Sequence, residues 1–307
     1  MNNYLDLALQ GKNNWWRYLL AVVVILVMWQ VVGGIPSIML VSWVMLDGNP
    51  QTDFSATGYV GVDVLLAFVV TMLASVGFFV GIFLAVRFIH QRRFLTLITP
   101  QTRVSFRRFF EGFFLWFALA GLMAVAEALL YPGRYVWSLD LARFIPFVFL
   151  ALIFIPIQTS AEELFFRGYL LQGLGKLHLR NIWILSLISG LLFGLPHLLN
   201  PEAQANLPIM ALYYISLGCV TAYVTLRDGR LELALGLHAA NNLLTVLLAN
   251  YTVTALPSPS LFTVTELDVV YSVSTALAGL LIFVLVFSRS WARPGQAEQT
   301  VELEAES

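Results

Sequence analysis

Three clusters in the second half of the chain hold residue types that a membrane span accommodates only for a reason. Ser160-Ala161-Glu162-Glu163-Leu164-Phe165-Phe166-Arg167 joins two carboxylates and a guanidinium. Phe193-Gly194-Leu195-Pro196-His197 and His238-Ala239-Ala240-Asn241-Asn242 add two histidines and an amide pair. An ionisable group inside a bilayer costs about 2.5–3.5 kcal/mol on insertion scales, which makes each a functional candidate. Helical spacing organises them. Glu163 and Arg167 stand at i and i+4, on one face, where they can pair. Glu162 points about 100° around the helix from Glu163. His238 and Asn242 are again i and i+4, and Phe193 lies one turn before His197. Peptide hydrolysis would use this set. A buried carboxylate beside another carboxylate can take a proton from water. A neutral imidazole can orient that water, and His and Asn donors can hold an oxyanion. Alternatively, His197, His238 and Glu162 or Glu163 could hold a zinc ion that activates the water. An asparagine where a third strong ligand would stand favours the metal-free scheme.

The elements that must position these groups are transmembrane helices. Hydrophobic residues make up 59% of the 307 and charged residues 11%, against about 45–50% and about 25% in soluble domains. Mean hydropathy is +0.80. The apolar residues come in long blocks rather than in the alternation of a barrel strand. A net charge of −1 gives nucleic acid no electrostatic purchase. The single cysteine, Cys219, excludes an intrachain disulfide and a cysteine metal cluster.

A bilayer core of about 30 Å needs about 20 apolar helical residues. Eight blocks qualify: 18–46, 58–86, 109–130, 144–177, 181–199, 207–226, 232–250 and 269–288. The expectation is an all-α polytopic bundle of about eight spans. The first block reads as a retained anchor, bent at Gly33-Gly34-Ile35-Pro36, and Pro156 is expected to break the fourth. Lys12, Arg17, Arg87, Arg92, Arg93, Arg103, Arg107, Arg108, Arg167, Lys176, Arg180, Arg227, Arg230, Arg289 and Arg293 fall on one side, with only Arg134 and Arg143 on the other. The positive-inside rule then makes both termini cytoplasmic. Trp15-Trp16-Arg17 reads as an interfacial anchor. Segment 87–108 is expected to lie partly as an interfacial helix on anionic lipid. His90 and His178 sit in such basic segments and need no chemical role. The tail 294–307 reads as acidic and disordered. The chain divides into N-terminal helices and a basic loop (1–143), a polar-site core (144–250) and a last helix with its tail (251–307). Counted from the cytoplasmic ends at about 1.5 Å per residue, Glu162 lies roughly 21 Å deep, His197 roughly 24 Å, His238 roughly 12 Å and Asn242 roughly 18 Å. The polar groups of three helices thus share overlapping layers.

At these residues the chain resembles the CPBP family, the CAAX proteases and bacteriocin-processing enzymes also called Abi proteins, which include the type II CAAX prenyl endopeptidases. The family pattern reads here as Glu162-Glu163-x-x-x-Arg167, Phe193-x-x-x-His197 and His238-x-x-x-Asn242. The match covers about 150–250, roughly a third of the chain, and all three motifs occur in order. The resemblance implies Glu162 as general base on water, helped by His197. His238 and Asn242 would bind the oxyanion, with Glu163 and Arg167 as a supporting pair. Phe193 would pack against the site. The resemblance leaves the metal question open: no cofactor is required by it, and zinc on His197, His238 and Glu162 is the alternative. It implies an intramembrane endopeptidase of a multi-pass membrane protein, expected in a bacterial cytoplasmic membrane. Its partners would be the bilayer and a membrane-embedded or lipid-linked protein or peptide substrate. Two other classes compete. A secondary transporter would use the same groups as an ion path, but the polar groups occupy one half of the chain and show no inverted repeat. A non-catalytic immunity or partner protein would not need the full set of acid, two histidines and amide.

Overall fold

A computed structural model describes residues 3–55 and 58–291. Arg293 and the acidic tail 294–307 lie outside the described residues. Among the described residues there are eight long helices: α1 (Trp15–Leu46), α2 (Val64–Ile89), α3 (Phe106–Leu130), α4 (Leu141–Lys176), α5 (Ile182–His197), α6 (Leu207–Asp228), α7 (Glu232–Leu247) and α8 (Val269–Trp291). The protein is an integral, multi-pass, all-α membrane protein.

Local sequence explains where helices begin. Asp63, Ser105, Asp140, Asn181 and Asn206 each accept a hydrogen bond from a backbone N–H of the first turn of α2 to α6, satisfying donors that a helix cannot satisfy itself. Gly229, with φ +70°, ends α6 in the left-handed region that glycine enters without strain. α1 is interrupted as its glycines suggest: a π-helical turn, Val27–Val32, leads through Gly33 and Gly34 to a fresh start at Ile35.

Among the described residues six helices, α1 to α4, α6 and α8, are long and apolar enough to cross a membrane. α5 and α7 have 16 residues each, about 24 Å at the usual rise. α5 is apolar but short; for α7 the physical reason is burial. α7 packs against α3, α4 and α6, and every residue from Glu232 to Ala240 is buried. A helix wrapped in protein meets neither the length nor the composition that lipid imposes. Its close seat on α3 needs Gly236, where a Cβ would stand 2.1 Å from the Phe109 carbonyl oxygen.

The two ends of the bundle differ. Arg108 and Trp291 both bond Asp228, Arg180 pairs with Asp6 at 2.7 Å, and the Ser105 amide donates to Glu232 at 3.1 Å. These contacts gather the basic helix ends. The opposite end carries an antiparallel hairpin, β1 (Asp53–Ser55) with β2 (Gly58–Val60). Beside it lies a three-stranded sheet in the order β3 (Tyr135–Trp137), β5 (Phe262–Val264), β4 (Ala249–Tyr251). There Arg134 pairs with Glu127 and Asp268, and Arg143 lies 3.8 Å from Asp63.

Two expectations are corrected. Pro156 does not break α4, which runs as α-helix from Leu141 through Pro146 and Pro156 to Glu163. The packed face around it, with Ala151 and Ile155 fully buried, holds the rod through the missing hydrogen bond. The irregularity comes later, as a π-helical stretch Leu164–Leu170. Segment 87–108 is not an interfacial helix. It folds back into the protein through a 3-10 turn, Phe94–Leu97, which buries Thr96 and Leu97. His90, expected to be idle at the interface, is buried, with Nδ1 donating to the Lys12 carbonyl at 2.8 Å and Nε2 accepting from the Tyr169 hydroxyl at 2.9 Å.

Candidate active site

Glu162 and Glu163 end the α-helical part of α4, and the π-helical stretch begins at the next residue. Wider turns of this kind recur at functional sites. The two carboxylates leave the helix in different directions. Glu163 points into the protein, where it is fully buried against Arg167 at 3.0 Å, and Arg167 is fully buried too. The guanidinium also lies over the Phe193 ring, 4.2 Å from its centre. Glu163 Oε1 meets His238 Nδ1 at 2.8 Å. An ionised carboxylate only accepts, so Nδ1 carries the proton and donates.

Glu162 faces a cavity of about 460 Å³. Its Oε1 accepts from the Gln158 side-chain amide, one turn earlier. Its Oε2 is buried without a hydrogen-bond partner among the described residues and lies 3.7 Å from His238 Nε2. Nε2 of His238 and Oε2 of Glu162 therefore face each other across a gap slightly too wide for a direct bond.

A chain of amides steadies Glu162. The Trp116 indole N–H and the Tyr213 hydroxyl donate to Asn241 Oδ1 at 3.2 and 3.3 Å. Asn241 donates to Asn242 at 3.0 Å, Asn242 donates to Gln158 at 3.0 Å, and Gln158 donates to Glu162. Each donor points along the chain towards the carboxylate. One N–H of Asn242 is spent on Gln158, which leaves the second for another acceptor.

His197 ends α5. Its Nδ1 bonds the Phe193 carbonyl at 2.7 Å, so Nδ1 is the protonated nitrogen and Nε2 offers a lone pair. The ring is held between Phe193 (4.4 Å) and Tyr214 (4.9 Å). Phe193 touches His197, His238 and Arg167 at once. α5 is brought to the site by its close packing on α6. A Cβ at Gly190 would stand 2.8 Å from the Ile215 carbonyl oxygen, so only glycine permits this approach.

Glu162, His197, His238, Asn242 and Phe193 all line the one cavity, while Glu163 and Arg167 lie behind its wall. Three residues of the site escaped sequence reasoning or were discounted by it. Gln158 stands at i−4 from Glu162, a spacing that could have flagged it. Asn241 lines the cavity beside Asn242. Tyr214 belongs to a different helix and carries no sequence signal. The cavity lining holds Glu127, Glu162 and Glu202 and, among the described residues, no lysine or arginine. No three His, Cys, Asp or Glu side chains among the described residues stand together so as to hold a metal ion.

A buried acid, two histidines and an amide thus meet at one cavity within the helices. Residues 141–244 match the family described as type II CAAX prenyl endopeptidase Rce1-like. An uncharacterized protein of Bacillus subtilis (strain 168), YyaK, is 35% identical over 285 residues, 92% of this chain and 94% of that one. The chain belongs to the Rce1-like CAAX protease family, whose members act on protein substrates within the lipid bilayer. No solved structure matches the chain.

Proposed function

We propose that the protein hydrolyses an internal peptide bond of a membrane-associated protein or peptide, with Glu162 as the base that activates water. The supporting observation is the orphaned Oε2 of Glu162, buried at the cavity wall while Oε1 is fixed by Gln158. A water hydrogen-bonded to Oε2 would lose its proton there as it attacks the substrate carbonyl. The lone pair of His197 Nε2 orients that water. His238 Nε2 and the second N–H of Asn242 hold the oxyanion. For His238 to donate at Nε2 its ring must carry two protons. When the tetrahedral intermediate collapses, the proton gained by Glu162 passes to the departing amine.

The scheme routes no step through a metal, and zinc on the same residues is the competing chemistry. Among the described residues the cavity lining has no lysine or arginine, which favours an internal bond over capture of a free C-terminal carboxylate. The setting that fits is a bacterial cytoplasmic membrane, with eight spans and both termini inside. The test is comparative proteomics of membranes from cells carrying wild type or Glu162→Gln. A peptide terminus present in wild type should vanish in the variant while the protein level stays constant. Unchanged termini would reject the assignment. For the metal question, protein dialysed against a strong chelator should still cleave that substrate; loss of cleavage that stoichiometric zinc restores would select the metal scheme.

A further inference from the structure

The bundle is closed on one side of the site and open on the other. Towards the basic end, Glu163, Arg167, Leu171, Gln172, Leu97, Leu231 and Ala234 are all fully buried. The N-terminal segment adds a plug. The Tyr4 side chain is fully buried, and its hydroxyl donates to the Leu97 carbonyl at 2.5 Å. Gln172 donates to the Thr96 carbonyl at 2.7 Å and accepts from Arg92 at 2.6 Å, tying the basic loop onto α4.

Most helices that line the cavity do so mainly with their other half, while Trp29 of α1, Glu162 of α4 and His238 of α7 sit just on the basic side of their helix midpoints and form the cavity's closed end. α2 contributes Thr71 to Ser75, near its start at the acidic end, and α8 contributes Tyr271 to Ala276, likewise near its start. α3 contributes Trp116 to Glu127, and α5 contributes Phe193 and His197, both towards the ends of helices that begin at the basic side. The loops that complete the lining, with Asn200, Glu202, Thr254 and Ala255, belong to the end that carries both small sheets. A second cavity, of about 560 Å³, lies under the β1–β2 hairpin at the same end and shares Thr71, Met72, Thr254, Ala255 and Leu256 with the first. The basic end is the one that the positive-inside rule assigns to the cytoplasm.

We infer that water and substrate reach Glu162 from the face opposite the basic end, so that the bond cleaved lies in an extracytoplasmic or outer-leaflet segment of the substrate. This rests on reading the Glu162 cluster as the site of hydrolysis, but access can be tested without that reading. With Cys219→Ala as background, single cysteines are placed at Ala255→Cys and Ser272→Cys in the cavity lining and at Arg93→Cys, exposed at the basic end. A membrane-impermeant maleimide is applied to intact cells and to inverted vesicles. The cavity cysteines should react in intact cells and Arg93→Cys only in inverted vesicles. Cavity cysteines that react only in inverted vesicles, from both sides equally, or from neither, would overturn the inference and leave the hydrolase reading standing. As a second readout, the termini that Glu162→Gln abolishes should map to extracytoplasmic segments of membrane proteins. Termini in cytoplasmic loops would overturn the inference while supporting the hydrolase. No Glu162-dependent termini, with labelling as expected, would instead reject the hydrolase and keep the access route.

Discussion

Glu162 and Glu163 are neighbours in the chain and belong to two different regions. Around Glu163 the protein is dry and closed: Arg167, His238 and the Phe193 ring surround the carboxylate, and the side chains of Glu163 and Arg167 are fully buried. Around Glu162 it is polar and hollow, with Gln158, Asn242, His197 and Tyr213 facing the cavity. The contrast separates two tasks. A closed ion pair fixes the geometry of His238 and gains little from its own Coulomb energy, because both charges lose their hydration. Each carboxylate has one oxygen, Oε2, without a hydrogen-bond partner, but only that of Glu162 belongs to a side chain lining the cavity, where a water can meet it for proton transfer.

Variants on the two sides should therefore fail in different ways. The largest effect is expected for Arg167→Ala, which leaves Glu163 buried without its cation. About 3–5 kcal/mol of stability should be lost, read as a fall in folded yield and in the thermal midpoint in detergent. Replacing both partners, Glu163→Leu with Arg167→Met, should recover most of that stability, since apolar groups of similar size often replace a buried pair without loss. Cleavage should stay absent in this double variant because His238 has lost the partner of its Nδ1. A double variant that is stable and active would erase the distinction between the regions.

On the open side, Glu162→Gln should keep the fold and lower turnover by at least about a hundredfold, the usual scale for loss of a general base. Gln158→Leu breaks the amide chain at its last link. A hydrogen bond to a charged group contributes about 1.5–3 kcal/mol, so turnover should fall at least about tenfold, with the thermal midpoint little changed. A wild-type rate for Gln158→Leu would show that Glu162 needs no such orientation.

The smallest effect lies in the plug. Burial pushes the His90 imidazole below its ordinary value, against the opposing bond to the Lys12 carbonyl. The folded state thus binds fewer protons there than the unfolded state, and stability is lost as pH falls through the unfolded value of 6.5. Between pH 7.5 and 5.5, on either side of that value, the thermal midpoint of wild type should drop more than that of His90→Gln. Equal slopes would remove His90 from the stability of the closed side.

Much of this was legible in the sequence, and the reason is chemical. Long apolar blocks with few charges admit only membrane helices. Within them a carboxylate pair, an arginine, two histidines and an asparagine stand out because lipid makes each one costly. Helical spacing alone paired Glu163 with Arg167 and set Glu162 apart. What spacing could not give was any relation between helices. That His238 Nδ1 meets Glu163 rather than substrate, that Asn241 relays Trp116 and Tyr213 to Asn242, and that Tyr214 stacks on His197 all depend on how α3, α5, α6 and α7 pack. The tertiary structure also decided what a hydropathy count cannot: α7 is a short helix enclosed by protein, the basic loop buries His90 instead of resting on lipid, and Pro156 passes without a break. In each case the environment of the residue is set by neighbours far away in the chain, and a linear pattern records only neighbours along the helix.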